Sequence, residues 1–151
     1  MDYVMRLTAP DKSNKWYYDS NPFYAVGFGM PNCTAYAWGR FAEILGEAPT
    51  LSIANAGKWY AHDDGYERGN KPKLGAVIVW ESHPKAQDNR GVGHVAIVEE
   101  IYADGSFLVS ESGWKKPKIM WTTKISANCS RKGYIFLGFI YNPAVSPKKK
   151  E

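Results

Sequence analysis

The sequence predicts an α+β fold in which one early helix packs on an antiparallel β-sheet. Two observations carry this expectation. A well-punctuated amphipathic helix pattern begins near residue 33, and four short runs rich in β-branched and aromatic residues follow it, bounded by Gly, Asp and Pro. A chain of 151 residues is most simply one domain, long enough to bury roughly two-thirds of the surface its unfolded form exposes.

Residues 1–31, aromatic and broken by Pro10, Pro22 and Pro31, read as loops and turns laid over a core. Asn32 is a favoured N-cap. Apolar residues then recur at Cys33, Tyr36, Ala37, Phe41, Ile44 and Leu45, and Gly46 followed by Pro49 ends the helix. Ile53 to Tyr60 (IANAGKWY) reads as a second short helix, and HDDGYERGNKPK after it has no regular period and reads as a polar loop. The strand candidates are Ala76 to Trp80, His94 to Ile101, Phe107 to Glu111 and Tyr134 to Tyr141. Asp104-Gly105 joins the second and third of them as a tight hairpin. PAVSPKKKE has the composition of a linker, so the expected domain is 1–143 and the expected tail 144–151.

Composition excludes several classes of function. The net charge of +4 owes much to the terminal Lys148, Lys149 and Lys150, so nucleic acid is not implied, although a mild positive excess suits an anionic polymer. There is no apolar run of 18 residues and no basic-then-apolar leader, which points to a chain made in the cytoplasm without a signal peptide, or to a fragment, with no membrane partner. Two cysteines are too few for a disulfide framework. No clustered His/Cys spacing is present, so neither a metal nor another cofactor is expected; Asp63, Asp64 and Glu67 read as a solvated loop rather than a cation site.

Cys33 opens the helix, where unpaired backbone N–H groups and the positive end of the helix dipole favour a thiolate. A small buried hydrophobe on the inner face of the helix is the ordinary alternative. Of the three histidines, His62 and His83 lie in polar loops, whereas His94 opens the apolar strand HVAIVEE and stands at the mouth of a cleft or in a hydrogen-bonded core position. A general base works best when a third group fixes its tautomer, and Glu111 is the candidate. A two-residue Asp-Gly turn would pair Val98 with Glu111, which puts Glu111 on the face of His94 but four residues away. That is roughly 13 Å along a strand, so a bulge or a longer turn must close the gap. An acid facing water on an edge strand remains the other reading of Glu111.

Taken in order, NCTAYAWGR (Asn32 to Arg40), NAGKWY (Asn55 to Tyr60), PKLGAVIVW (Pro72 to Trp80), GHVAIVEEI (Gly93 to Ile101) and DGSFLVSESGW (Asp104 to Trp114) resemble the CHAP family. These are cysteine- and histidine-dependent amidohydrolases and peptidases of papain-like fold that cut bacterial peptidoglycan. The resemblance implies Cys33 as nucleophile, His94 as general base and then acid, and Glu111 as the residue that orients His94. It implies a groove for a peptide stem beside sugar, with Asn32, Trp59, Tyr60 and Trp114 as candidate substrate-binding residues. Asn32 could donate to the oxyanion, although a plain helix cap is the simpler role. Members often carry an Asn two residues after the orienting Glu, and here that place is Gly113. Some phage members carry an acidic calcium loop just before the nucleophile, but FYAVGFGMPN has no carboxylate and no calcium is expected there. Cys129, in NCSRKG, reads as structural or solvent-exposed.

The resemblance implies a peptidoglycan hydrolase, the catalytic part of a phage lysin, acting on the bacterial cell wall as a monomer, with any C-terminal wall-binding module removed or absent. A non-catalytic wall-binding module is a different class with the same partner. An NlpC-type cysteine peptidase is a third reading, which NCTAY fits poorly because that group favours Asp-Cys-Ser-Gly.

Overall fold

The computed structural model describes residues 3–84 and 92–146. Two helices come first, α1 (Pro22–Ala25) and α2 (Cys33–Leu45), then a single 3-10 turn (Ala56–Lys58). Six strands follow: β1 (Arg68–Gly69), β2 (Val77–Ser82), β3 (His94–Ile101), β4 (Phe107–Glu111), β5 (Trp121–Ile125) and β6 (Tyr134–Ile140). They form one antiparallel sheet in the order β1-β6-β2-β3-β4-β5. The α+β class is as expected.

Helix α2 begins and ends where its pattern demands, and Gly46 closes it at φ 82°, the left-handed conformation a glycine adopts without a Cβ penalty. Its face carries Tyr36, Ala37 and Phe41 onto Val77, Val79, Val95 and Ile97 of the sheet. On the opposite face Ile78, Trp80, Ala96, Val98, Phe107, Val109 and Phe139 form a second apolar cluster. The period-2 alternation of β2, β3 and β4 therefore feeds two cores, because both faces of the sheet are covered.

The expected helix over Ile53 to Tyr60 reduces to the 3-10 turn. The Gly57 N–H is taken across the molecule by Val92 O at 2.9 Å, which removes it from any local helical ladder. The polar loop before β2 contains β1, paired with β6. The sequence reading missed β5 altogether, although Trp121, Thr123 and Ile125 alternate toward the face that carries Glu111. In the loop, Asp64 is ion-paired with Arg68 at 2.6 Å rather than solvated. Both cysteines are free thiols. Lys148 to Lys150 and most of the expected tail lie outside the described residues. Among the described residues no helix is long and apolar enough to cross a membrane.

The hairpin between β3 and β4 is not a two-residue turn. Ile101 pairs with Phe107 across a longer loop, closed by Tyr102 N–H to Ser106 O at 2.8 Å, and a bulge then shifts the register between Val98 and Glu100. Val98 consequently faces Val109 rather than Glu111. The bulged Glu99 is buried and accepts from Arg40 of α2 at 2.9 Å, Tyr3 Oη at 2.8 Å and Ser110 Oγ at 2.7 Å. An ion pair to the helix thus holds the irregularity that sets where β4 ends.

Candidate active site

Three elements converge at one end of the sheet. Helix α2 delivers Cys33 as its first residue, β3 delivers His94 as its first, and β4 delivers Glu111 as its last. Gly93 makes the entry to β3 possible. At φ +75° a Cβ there would stand 2.5 Å from Trp80 O and 2.6 Å from Gly57 N, so only glycine lets the chain turn into the strand at this point.

His94 Nε2 lies 2.7 Å from Glu111 Oε1. Cys33 lies close enough to the same ring to favour its protonated form. With Nε2 engaged by the carboxylate, Nδ1 is the nitrogen left to serve the sulfur. The ring is stacked on Trp80 with centroids 5.9 Å apart, and Tyr134 packs against it at 6.0 Å. Burial by itself would depress the imidazole, but hydrogen bonds and charge from Cys33 and Glu111 outweigh it and raise the pKa to about 9.

Glu111 is fully buried and saturated. Oε1 also accepts from Arg131 at 2.7 Å, while Oε2 accepts from Arg131 at 2.8 Å, Trp121 Nε1 at 2.9 Å and Thr123 Oγ1 at 2.5 Å. Burial alone would raise this carboxyl. Hydrogen bonds and charge from His94 and Arg131 hold it well below the usual carboxylate range, so it is an anion. Trp121, Thr123 and Arg131 escaped the sequence reading; the alternation of WTTKI was the available signal for the first two, and nothing local signals the third.

The four candidate groove residues fare differently. Trp59 is fully buried in the helix-side core, stacked on Phe23 at 6.3 Å, with Nε1 donating to Ala54 O at 3.0 Å. It is a core residue, and the expectation that it walls a groove is corrected. Tyr60 is half-buried against Gly138, with the Arg68 guanidinium over its ring at 5.6 Å. Asn32 occupies the N-cap position, but its side chain caps nothing and donates to Phe28 O at 2.8 Å instead. The simple capping role is therefore corrected too: the amide ties down the loop before the nucleophile and leaves the first N–H groups of α2 without a side-chain acceptor. Trp114 is half-buried beside the exposed Phe28 at 5.6 Å, and Lys115 N–H binds Pro31 O at 3.2 Å, which sets this loop next to Cys33.

Among the described residues no group of three or more His, Cys, Asp or Glu is placed to hold a metal ion. The arrangement offers a thiol, an imidazole and a buried anion in series, with helix N-terminal amides that the Asn32 side chain does not cap beside the sulfur. Chemically, this can transfer an acyl group from an amide to the sulfur and then to water.

The CHAP domain model matches residues 23–113. A Staphylococcus aureus N-acetylmuramoyl-L-alanine amidase domain-containing protein is 33% identical over 115 residues, covering 70% of this chain and 18% of its own length. The N-acetylmuramoyl-L-alanine amidase sle1 of Staphylococcus epidermidis is 35% identical over 101 residues, covering 61% of this chain and 28% of its own. The chain thus spans less than a third of these relatives. Among solved structures, an N-acetylmuramoyl-L-alanine amidase from Staphylococcus aureus superposes with a TM-score of 0.51 at 29% identity, over 72% of this chain and 30% of the other. Ly7917 shares the fold, with a TM-score of 0.54 at 17% identity over 75% of this chain and 54% of the other.

Proposed function

The chain belongs to the CHAP domain family, and from that premise we propose that it is a cysteine-dependent peptidoglycan hydrolase that cleaves the amide between N-acetylmuramic acid and L-alanine. The observation that carries the reading is the series Cys33, His94, Glu111 at the meeting of a helix N-terminus and two strand ends. The choice of bond follows the amidase names of the staphylococcal relatives.

The steps follow from the geometry. With the imidazole pKa raised to about 9, His94 is an imidazolium at neutral pH, and the Cys33 sulfur beside it, at the positive end of α2, is the nucleophile. The sulfur attacks the amide carbonyl, and the oxyanion is held by the backbone N–H of Cys33 and its neighbour at the uncapped helix start. The imidazolium gives its proton to the departing amine as the C–N bond breaks and the thioester forms. Water then loses a proton to the neutral imidazole and attacks the thioester, which frees the muramoyl carboxylic acid, whose own proton passes to solvent, and returns the thiolate and imidazolium. Glu111 keeps the ring in the tautomer that faces the sulfur and balances its charge. Trp114 and Phe28, beside the nucleophile loop, form an apolar wall for the glycopeptide.

Mass spectrometry of digested walls tests this. Newly freed L-alanine amines are expected. New amines elsewhere in the stem or cross-bridge would move the reading to an endopeptidase, and new reducing sugars without new amines would reject it.

A further inference from the structure

Arg131 lies between β5 and β6, nearly a hundred residues from the nucleophile in sequence, yet it makes a two-pronged contact with the carboxylate behind His94. Its two terminal nitrogens donate to Oε1 and Oε2 of Glu111 at 2.7 and 2.8 Å. The guanidinium is laid over Trp80 at 5.2 Å from the ring centre, Trp80 is itself stacked on His94 at 5.9 Å, and Trp80 Nε1 donates to Cys129 O at 2.9 Å. The loop that carries Arg131 is therefore fastened to the same indole that supports the imidazole. We propose that Arg131 is a positioning residue for the hydrolytic reaction: it fixes the Glu111 carboxylate against His94 and divides that anion's charge between the guanidinium and the ring. The inference rests on the catalytic reading of Cys33 and His94 given above.

The physical case has two parts. His94 holds only Oε1, and Trp121 and Thr123 hold only Oε2, whereas the planar fork of Arg131 binds both oxygens at once and fixes the plane of the carboxylate. Arg131 also shares Oε1 with His94, so its cation opposes the imidazolium; removing it strengthens the hold of Glu111 on the ring proton. Charge reaches the ring from Cys33 on α2 and from Glu111 on β4, with Arg131 behind Glu111, and Tyr134 of β6 packs on its side.

The test uses the full chain carrying Cys129→Ser, so that Cys33 is the single thiol. Iodoacetamide alkylation from pH 4 to 10 and wall cleavage are followed for this protein and for its Arg131→Gln and Arg131→Lys forms. With Gln, the limb of the alkylation profile set by His94 is expected to move up by about one pH unit, as loss of a nearby cation requires, and turnover to fall by roughly tenfold or more. With Lys, which keeps the charge and loses the fork, the profile is expected to stay near that of the parent while turnover remains reduced. An unmoved profile in the Gln form overturns the proposal, whether or not turnover falls. Should the Gln form lack a cooperative thermal transition, the Lys form decides alone: full turnover overturns the inference and reduced turnover at an unchanged profile supports it. An unreactive Cys33 in the parent protein would instead sink the catalytic reading itself, and this inference with it.

Discussion

His94 Nε2 and Glu111 Oε1 stand 2.7 Å apart across the β3–β4 pair, one residue opening its strand and the other closing its own. The His94 side chain is mostly buried but keeps 12% of its surface exposed, while the Glu111 carboxylate is fully buried, so the ring can meet a substrate and its counter-charge cannot. The same division of labour governs what each substitution should do.

Cys33→Ala should abolish wall cleavage, by a factor of at least about 10³, with little loss of stability. Cys129→Ser should keep activity, since its sulfur packs in the second apolar cluster, away from the reacting groups, and hydrogen-bonds to Ala127 O of its own loop. Turbidity loss of purified walls reads both, and equal losses in the two variants would refute the assignment of the nucleophile.

Trp59 and Trp114 should separate a core role from a groove role. Trp59→Ala removes a fully buried ring and should cost about 3–5 kcal/mol of stability. Trp114→Ala should leave the melting temperature within a few degrees but raise KM for wall fragments by roughly tenfold, the effect of about 1.4 kcal/mol of lost contact. A large drop in melting temperature with unchanged KM would return Trp114 to the core.

Arg40→Ala should act on the active site from a distance. It leaves the buried Glu99 without its ion-pair partner, which typically costs about 3–5 kcal/mol. Because Glu99 is the bulged residue that sets the β3–β4 register, the His94–Glu111 contact should loosen as well. A double substitution, Arg40→Met with Glu99→Gln, should recover stability; denaturant titration of both proteins checks this.

Stability should be greatest between about pH 4.5 and 6.5 and fall on both sides. Burial would raise Glu43, but Arg6, Tyr17 and Arg40 outweigh it and lower its pKa from 4.5 to about 2, and Glu111 is held low in the same way. Groups lowered on folding contribute stability above their ordinary value, and it is lost as pH falls through the folded one. His94 is raised from 6.5 to about 9, so its contribution is complete below 6.5 and is lost as pH rises through 9. Urea midpoints at pH 3, 5.5 and 9.5 measure the window, and a midpoint that rises from 5.5 to 9.5 would contradict the charge state of His94.

What the sequence determined by itself is what neighbours within a few residues decide. The bounds of α2 follow from apolar spacing and Gly46, and the ends of β3 and β4 follow from alternation and turn residues. Tertiary structure decided whatever depends on partners far along the chain. The bulge at Glu99 exists against Arg40, 59 residues earlier; it and the longer β3–β4 loop each shift the register by one residue, which brings Glu111 near enough to His94 for their side chains to hydrogen-bond. Arg131 sits in a loop with no periodicity, and only the folding of β5 beside β4 brings it to Glu111. Trp59 became core because Phe23 and the helix-side cluster close over it, and the Asn32 amide turned to Phe28 O because the preceding loop folds back within its reach. Local preference is read from a window of neighbours; register, burial and ion pairing are settled by which distant groups must be satisfied once water is excluded.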